Sequence, residues 1–166
     1  ETLREDKGRN DAHGRPLPPF HVMTQYGNSP SNDMHFTFRS VQREELNALI
    51  THRPGETKLG EALAPDWRDE ACRYVLLGIC EDIGPRANNG LAGARNGWDA
   101  FLPNFLNLQA NRFIAPGSVH VLGRIDQQDS DAELDATTMR ERVAELDDLV
   151  VRAVLPNLQA GKVPRV

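Results

Sequence analysis

The chain has 166 residues, enough for one domain with a real core, yet only 39% of it is hydrophobic and 6% aromatic, so part of it is expected to pack loosely. A net charge of -5 argues against a general nucleic-acid or anionic-membrane binder, since either needs a basic face. No apolar run reaches the length of a membrane span, and Glu1 to Asn10 is too charged for a signal peptide. Cys72 and Cys80 are the only cysteines and form no C-x-x-C pair, which fits a reducing cytoplasm better than a disulfide scaffold. The chain opens on Glu1 rather than methionine, so it is read as processed or as a piece of a longer frame.

Residues 1–39 read as an irregular arm with Arg15-Pro-Leu-Pro-Pro19, Tyr26-Gly-Asn-Ser-Pro30 and no sustained period. Residues 40–166 read as one α/β domain. Ser40 is positioned to cap a helix from Val41 to about Ile50, with Leu46, Leu49 and Ile50 on one face. Arg53-Pro-Gly-Glu-Thr-Lys-Leu-Gly60 breaks it, and Asp66 to Cys72 is expected to form a short helix. Tyr74 to Ile79 is apolar on both faces, the signature of a strand buried in a parallel sheet.

Next comes Glu81-Asp-Ile-Gly-Pro-Arg-Ala-Asn-Asn-Gly90, a glycine-punctuated polar loop at the carboxyl end of that strand, where α/β folds place ligands. Asp82 and Arg86 are close enough to pair and brace it, and Asn88 and Asn89 both donate and accept hydrogen bonds. The competing reading is a structural loop whose charges satisfy one another. Trp98, Phe101, Leu102, Phe105 and Leu106 then recur at helical spacing, with Pro103 predicting a kinked helix or two short ones. Ser118 to Ile125 reads as a strand with Val119, Val121 and Ile125 on one face. Asp126 to Asp135 reads as an acidic loop. A helix is predicted from Thr138, where Thr138-Met-Arg-Glu141 matches a capping box, with Val143, Leu146, Leu149, Val150, Ala153 and Val154 as its buried stripe. Pro156 kinks or ends it, and a further strand begins near Val163. Strand, helix, strand, helix, strand implies a right-handed parallel α/β sheet.

Several familiar chemistries fail on spacing. The dinucleotide fingerprint, the lysine-bearing phosphate loop and the nucleophile elbow are missing. His13, His21, His35, His52 and His120 are scattered, with no i, i+4 pair for a helical metal site. Counted from Asp129 as a calcium loop, the glycine position is Leu134 and the closing glutamate position is Arg140, so a solvated acidic loop is the better reading.

Taken together, Arg53-Pro-Gly-Glu-Thr-Lys-Leu-Gly-Glu61, Leu77-Gly-Ile-Cys-Glu-Asp-Ile-Gly-Pro-Arg-Ala-Asn-Asn-Gly90, Phe105-Leu-Asn-Leu-Gln109 and Val121-Leu-Gly123 resemble the amino-terminal half of the arginase–agmatinase–formimidoylglutamase (ureohydrolase) family, formimidoylglutamase-like branch. The resemblance runs from about Val41 onward. It implies part of a three-layer αβα fold with a mostly parallel sheet and a hydrolase acting on linear amidine or guanidine C–N bonds. It also implies a manganese pair that generates the attacking hydroxide, and a homo-oligomer. The family's ligand motifs, G-G-G-H-[DN], D-x-H-x-D and D-x-D-x-x-D-P, do not occur here, so no catalytic or metal residue is carried over and no manganese is expected on this chain alone. The expectation is an amino-terminal fragment. A noncatalytic α/β binding or assembly module is the alternative. By the same resemblance the Glu81–Gly93 segment lies near the active-site mouth, making Arg86, Asn88 and Asn89 candidate substrate contacts, with Arg86 suited to a carboxylate.

Overall fold

The structure, a computed structural model, describes residues 35–128 and 134–166. The rest of the arm and residues 129–133, including Asp129, Asp131 and Glu133, lie outside the described residues, as do His13 and His21. The described residues form β1 (Phe36–Ser40), α1 (Arg43–Ala48), β2 (Tyr74–Cys80), α2 (Ile83–Ala87), α3 (Gly97–Leu106), β3 (Val119–Gln127), α4 (Ala136–Gln159) and β4 (Val163–Arg165), with short 3₁₀ turns at Leu59–Ala62 and Ala94–Asn96. The sheet order is β1-β3-β2-β4; β2 is parallel to both β3 and β4, and β1 runs antiparallel to β3 at the edge. The domain is therefore α/β with a mixed, mostly parallel sheet.

Strand β2 carries the architecture because both of its faces are apolar. Alternation along a strand sends Tyr74, Leu76 and Gly78 to one face and Val75, Leu77 and Ile79 to the other. On the first face Leu76 packs with Leu102 and Leu106 of α3, Leu46 of α1, and Val119 and Val121 of β3. Gly78 makes the close approach possible: a methyl group there would sit 2.3 Å from the Trp98 indole. From β2 the chain moves one way to β3 and then back past β2 to β4. Right-handed crossovers in opposite directions place their connecting helices on opposite faces, which assigns α3 and α4 to the two sides.

A bulge divides β3. Leu76 pairs with Val121, but Leu77 pairs with Gly123, leaving Leu122 as the extra residue. Gly123 has φ 146°, and a Cβ there would lie 2.2 Å from the Arg39 carbonyl oxygen. Only glycine lets β1 lie against the bulge. The bulge also corrects the expectation of one shared face. Val121 lies with Leu76, whereas Ile125, paired with Ile79, falls on the opposite face, where it is fully buried.

Four further boundaries differ from expectation. Residues 36–39 are strand, not irregular arm, because Phe36 is buried and the segment pairs with β3 from Gln127 to Gly123. Ser40 therefore belongs to β1, and α1 starts at Arg43 with Gln42 at its N-cap position. Asp66 to Cys72 forms turns rather than a helix, since the Asp66 carboxylate takes the Arg68 N–H at 2.8 Å and holds the backbone in a turn. The predicted cap at Thr138 moves upstream. Asp135 accepts from the N–H groups of Thr137 and Thr138 at 2.8 and 2.9 Å, so α4 begins at Ala136.

Two prolines sit inside continuous helices, Pro103 in α3 and Pro156 in α4. Helix α4 buries Met139, Leu146, Ala153 and Asn157, while the predicted Val143, Leu149, Val150 and Val154 are half-buried beside them. It ends in a Schellman closure: Lys162 N–H reaches the Asn157 carbonyl and Gly161 N–H reaches Leu158. The turn delivers Val163 to β2, as the sequence predicts, and Lys162 Nζ donates to the Asp69 and Cys72 carbonyls at 2.8 Å each.

Candidate rim at the carboxyl end of the sheet

The polar loop after β2 is not free coil. Asp82 leaves the strand, α2 occupies Ile83–Ala87, and an exposed turn follows over 88–92. The Glu81 carboxylate accepts the Gly84 N–H at 2.7 Å and supports the start of α2. Ile83 and Ala87 are buried beneath it, and α2 packs against α4. Arg86 is thus a half-exposed helical residue rather than a loop residue. Asn88 ends α2, donating through Nδ2 to the Gly84 carbonyl at 3.2 Å. Exposed Asn89 adopts φ 60°. The three candidate substrate contacts therefore lie on either side of buried Ala87 at the end of α2, the helix that follows the carboxyl end of β2.

The brace differs from the expected Asp82–Arg86 pair. Buried Asp82 accepts the backbone N–H groups of Gly93 and Arg95 at 2.7 and 3.1 Å, and its own N–H donates to Gln127 Oε1 at 2.9 Å. Arg95 Nη2 donates to the Gln127 carbonyl at 2.9 Å. One carboxylate and the last residue of β3 thereby fasten both ends of the loop to the sheet. Burial pushes the Asp82 carboxyl up, but the donors at Gly93 and Arg95 and the Arg95 charge outweigh it and hold it below the usual carboxylate value. Neither Gln127 nor Arg95 stands out in the sequence, because the contacts span 45 and 32 residues.

A second polar group lies on the α3 side. Arg124 donates to Asp99 Oδ1 at 2.7 Å and to Asp126 at 2.9 Å. Burial lowers the guanidinium, yet its Asp126 hydrogen bond and the neighbouring carboxylates raise it above the ordinary value. A pocket of about 100 Å³ beside it is lined by Arg39, Glu45, Trp98, Asp99, Leu102 and Arg124 among others. The charges there are matched to one another, Arg39 with Glu45 and Arg124 with Asp99. Cys80 is buried, and desolvation raises its thiol pKa, consistent with a small core side chain.

Arg53–Glu61, the first stretch of the family resemblance, takes a structural role at the other end of the strands. Its Lys58 pairs with Gln109 in an antiparallel bridge, and Leu59 N–H donates to Leu108. Asn107 ties in α1 by accepting the Thr51 N–H and donating to the Leu49 and Pro103 carbonyls. His52 meets Glu61 at the exposed surface, and His120 contacts the Ala64 carbonyl at 3.0 Å.

Among the described residues no three His, Cys, Asp or Glu side chains gather to hold a metal ion. No described helix is long and apolar enough to cross a membrane. Fold and site together define an α/β domain bearing a braced polar rim at the carboxyl end of its central strand. No known protein family, curated protein or solved structure matches this chain.

Proposed function

We propose that this domain supplies scaffold and substrate rim to a hydrolase of linear amidine or guanidine C–N bonds, of the formimidoylglutamate or arginine type, and is not catalytically complete by itself. One observation carries the reading. Half-exposed Arg86 and exposed Asn88 and Asn89 lie at and just after the end of α2, beyond the carboxyl end of a parallel strand, in a segment whose two ends Asp82 fastens to the sheet. The similarity to ureohydrolase motifs supports it, as does the mostly parallel sheet, which would form part of a three-layer αβα fold. The manganese pair of such an enzyme would be held by residues other than these 166. In this reading Arg86 recognises a substrate carboxylate by charge-assisted hydrogen bonds, and the two asparagines orient its polar end.

The test compares N-formimidoyl-L-glutamate, which has carboxylates, with agmatine, which has none. Arg86→Ala is expected to weaken binding of the former by about 1.5–3 kcal/mol, typical of a hydrogen bond to a charged group, and to leave agmatine unchanged. Equal affinity of wild type and variant for both compounds defeats the reading.

A noncatalytic assembly module is the second reading, favoured by exposed apolar side chains at Leu108, Phe113, Val151 and Leu158. Self-association in a homo-oligomer belongs to the same proposal. The adjoining coding sequence discriminates: a frame carrying the three ligand motifs supports the hydrolase, and a frame without them supports the module.

A further inference from the structure

Strand β2 opens beside a pair of cations that nothing else in one copy of the chain answers. The Arg73 and Arg165 guanidiniums lie 5.4 and 5.9 Å from the centre of the same ring, Tyr74. Both arginines are exposed, Tyr74 is half-buried, and neither guanidinium has a carboxylate partner among the described residues. Arg165 spends one donor on the neighbouring Pro164 carbonyl at 3.2 Å and keeps the rest of its fork. Val166, 66% exposed, follows it. Main-chain pairing has little to offer here. Val163 N–H donates to the Arg73 carbonyl, so alternation turns Pro164 outward, where it has no N–H to give. A partner on this side is met chiefly by side chains.

The complement lies on α4. Glu141, Glu145 and Asp148 follow the i, i+4, i+7 spacing of one helix face, all three are exposed, and none has a cationic partner among the described residues. Val151, one turn on, is 53% exposed beside them. The two patches match in sign and in kind: guanidiniums to carboxylates, Tyr74 and Val166 to Val151. One copy cannot join them. Tyr74 packs on the face of the sheet that α1 and α3 cover, and α4 lies on the other. Resting on the self-association proposed above, we infer that Arg73, Tyr74 and Arg165 of one copy dock on the Glu141–Asp148 face of α4 in a second copy. Because the two patches differ, the contact is heterologous and repeats from copy to copy until it closes a ring or runs on as a chain. Arginine and tyrosine are residue types that carry such contacts, and opposite charges steer the encounter.

Sedimentation equilibrium of the 166-residue chain tests this through charge reversal. Wild type is expected to associate, and more weakly as ionic strength rises. One variant carries Arg73→Glu with Arg165→Glu, and another carries Glu141→Lys, Glu145→Lys and Asp148→Lys. Each alone should associate roughly tenfold or more weakly than wild type, since like charges then face one another. An equimolar mixture of the two restores association, because every contact between unlike proteins pairs opposite signs again. That recovery separates a contact from a folding effect. Association that survives both reversals overturns the inference and leaves self-association standing, and so does a loss that mixing fails to repair. A wild-type chain that stays monomeric at every concentration overturns both.

Discussion

At Gly78 and Gly123 the sheet tolerates no added atom, whereas at Gly93 a Cβ would meet nothing within 4 Å. In the first region glycine brings Trp98 onto β2 and β1 onto the bulge of β3. In the second it turns the backbone beside an exposed tip. The packed region specifies the fold, and the rim carries the proposed contacts Arg86, Asn88 and Asn89. Between the two stands Asp82, buried like a core residue yet spending its hydrogen bonds on the rim. Stability and binding should therefore separate cleanly on mutation.

The largest expected effect is at Gly123. Gly123→Ala forces a side chain into a positive-φ site 2.2 Å from the Arg39 carbonyl and should cost about 3 kcal/mol or more in urea denaturation. Gly78→Ala pushes on the Trp98 ring instead, a movable side chain, so about 1–3 kcal/mol is expected. A Gly123 variant as stable as wild type would break the comparison.

Asp82 comes next. Asp82→Ala leaves the Gly93 and Arg95 N–H groups without their acceptor and should cost about 1–3 kcal/mol, while Asp82→Asn keeps an accepting oxygen and costs less. Hydrogen exchange should rise at Gly93 and Arg95 first, before the β2 amides. The pH dependence follows from the lowered folded-state pKa. The carboxylate's stabilising contribution is fully present above the unfolded value, about 3.9, and is lost as pH falls through the lower folded value. Rim exchange should thus be protected at pH 5–7, on the order of pH 4 marking where protection starts to fall. Loss of protection near neutrality would show that Asp82 is not the brace.

Smaller still is Asp135→Ala, which removes the α4 cap at a cost of about 1 kcal/mol, whereas Thr138→Val should retain both backbone bonds to Asp135. At the bottom of the scale, Leu91→Ser alters a side chain that is 91% exposed and should shift stability by no more than about 0.5 kcal/mol.

Local pattern made much of this legible. The run Tyr74–Cys80 declares a strand buried on both faces, and the apolar stripe with Gly161 behind it declares α4 and the return to β4. What escaped depends on partners remote in sequence. The short alternation of Phe36 and Phe38 becomes a strand because β3 lies beside it. The faces of β3 reverse at a bulge that only the pairing with β2 reveals. The Thr138 capping box loses to Asp135, whose carboxylate takes both N–H groups. At the rim, the residue types and the position after β2 were readable. The brace was not, since Asp82 had a plausible local partner in Arg86 and its actual contacts reach Gly93, Arg95 and Gln127.

The most direct measurement is an amide-resolved NMR titration of the 166-residue chain with N-formimidoyl-L-glutamate. Saturable shifts confined to residues 81–95 and to Gln127 at the end of β3 are the predicted result. A fully folded chain whose rim signals stay fixed, or whose shifts gather around the Arg124 pocket instead, would contradict the account.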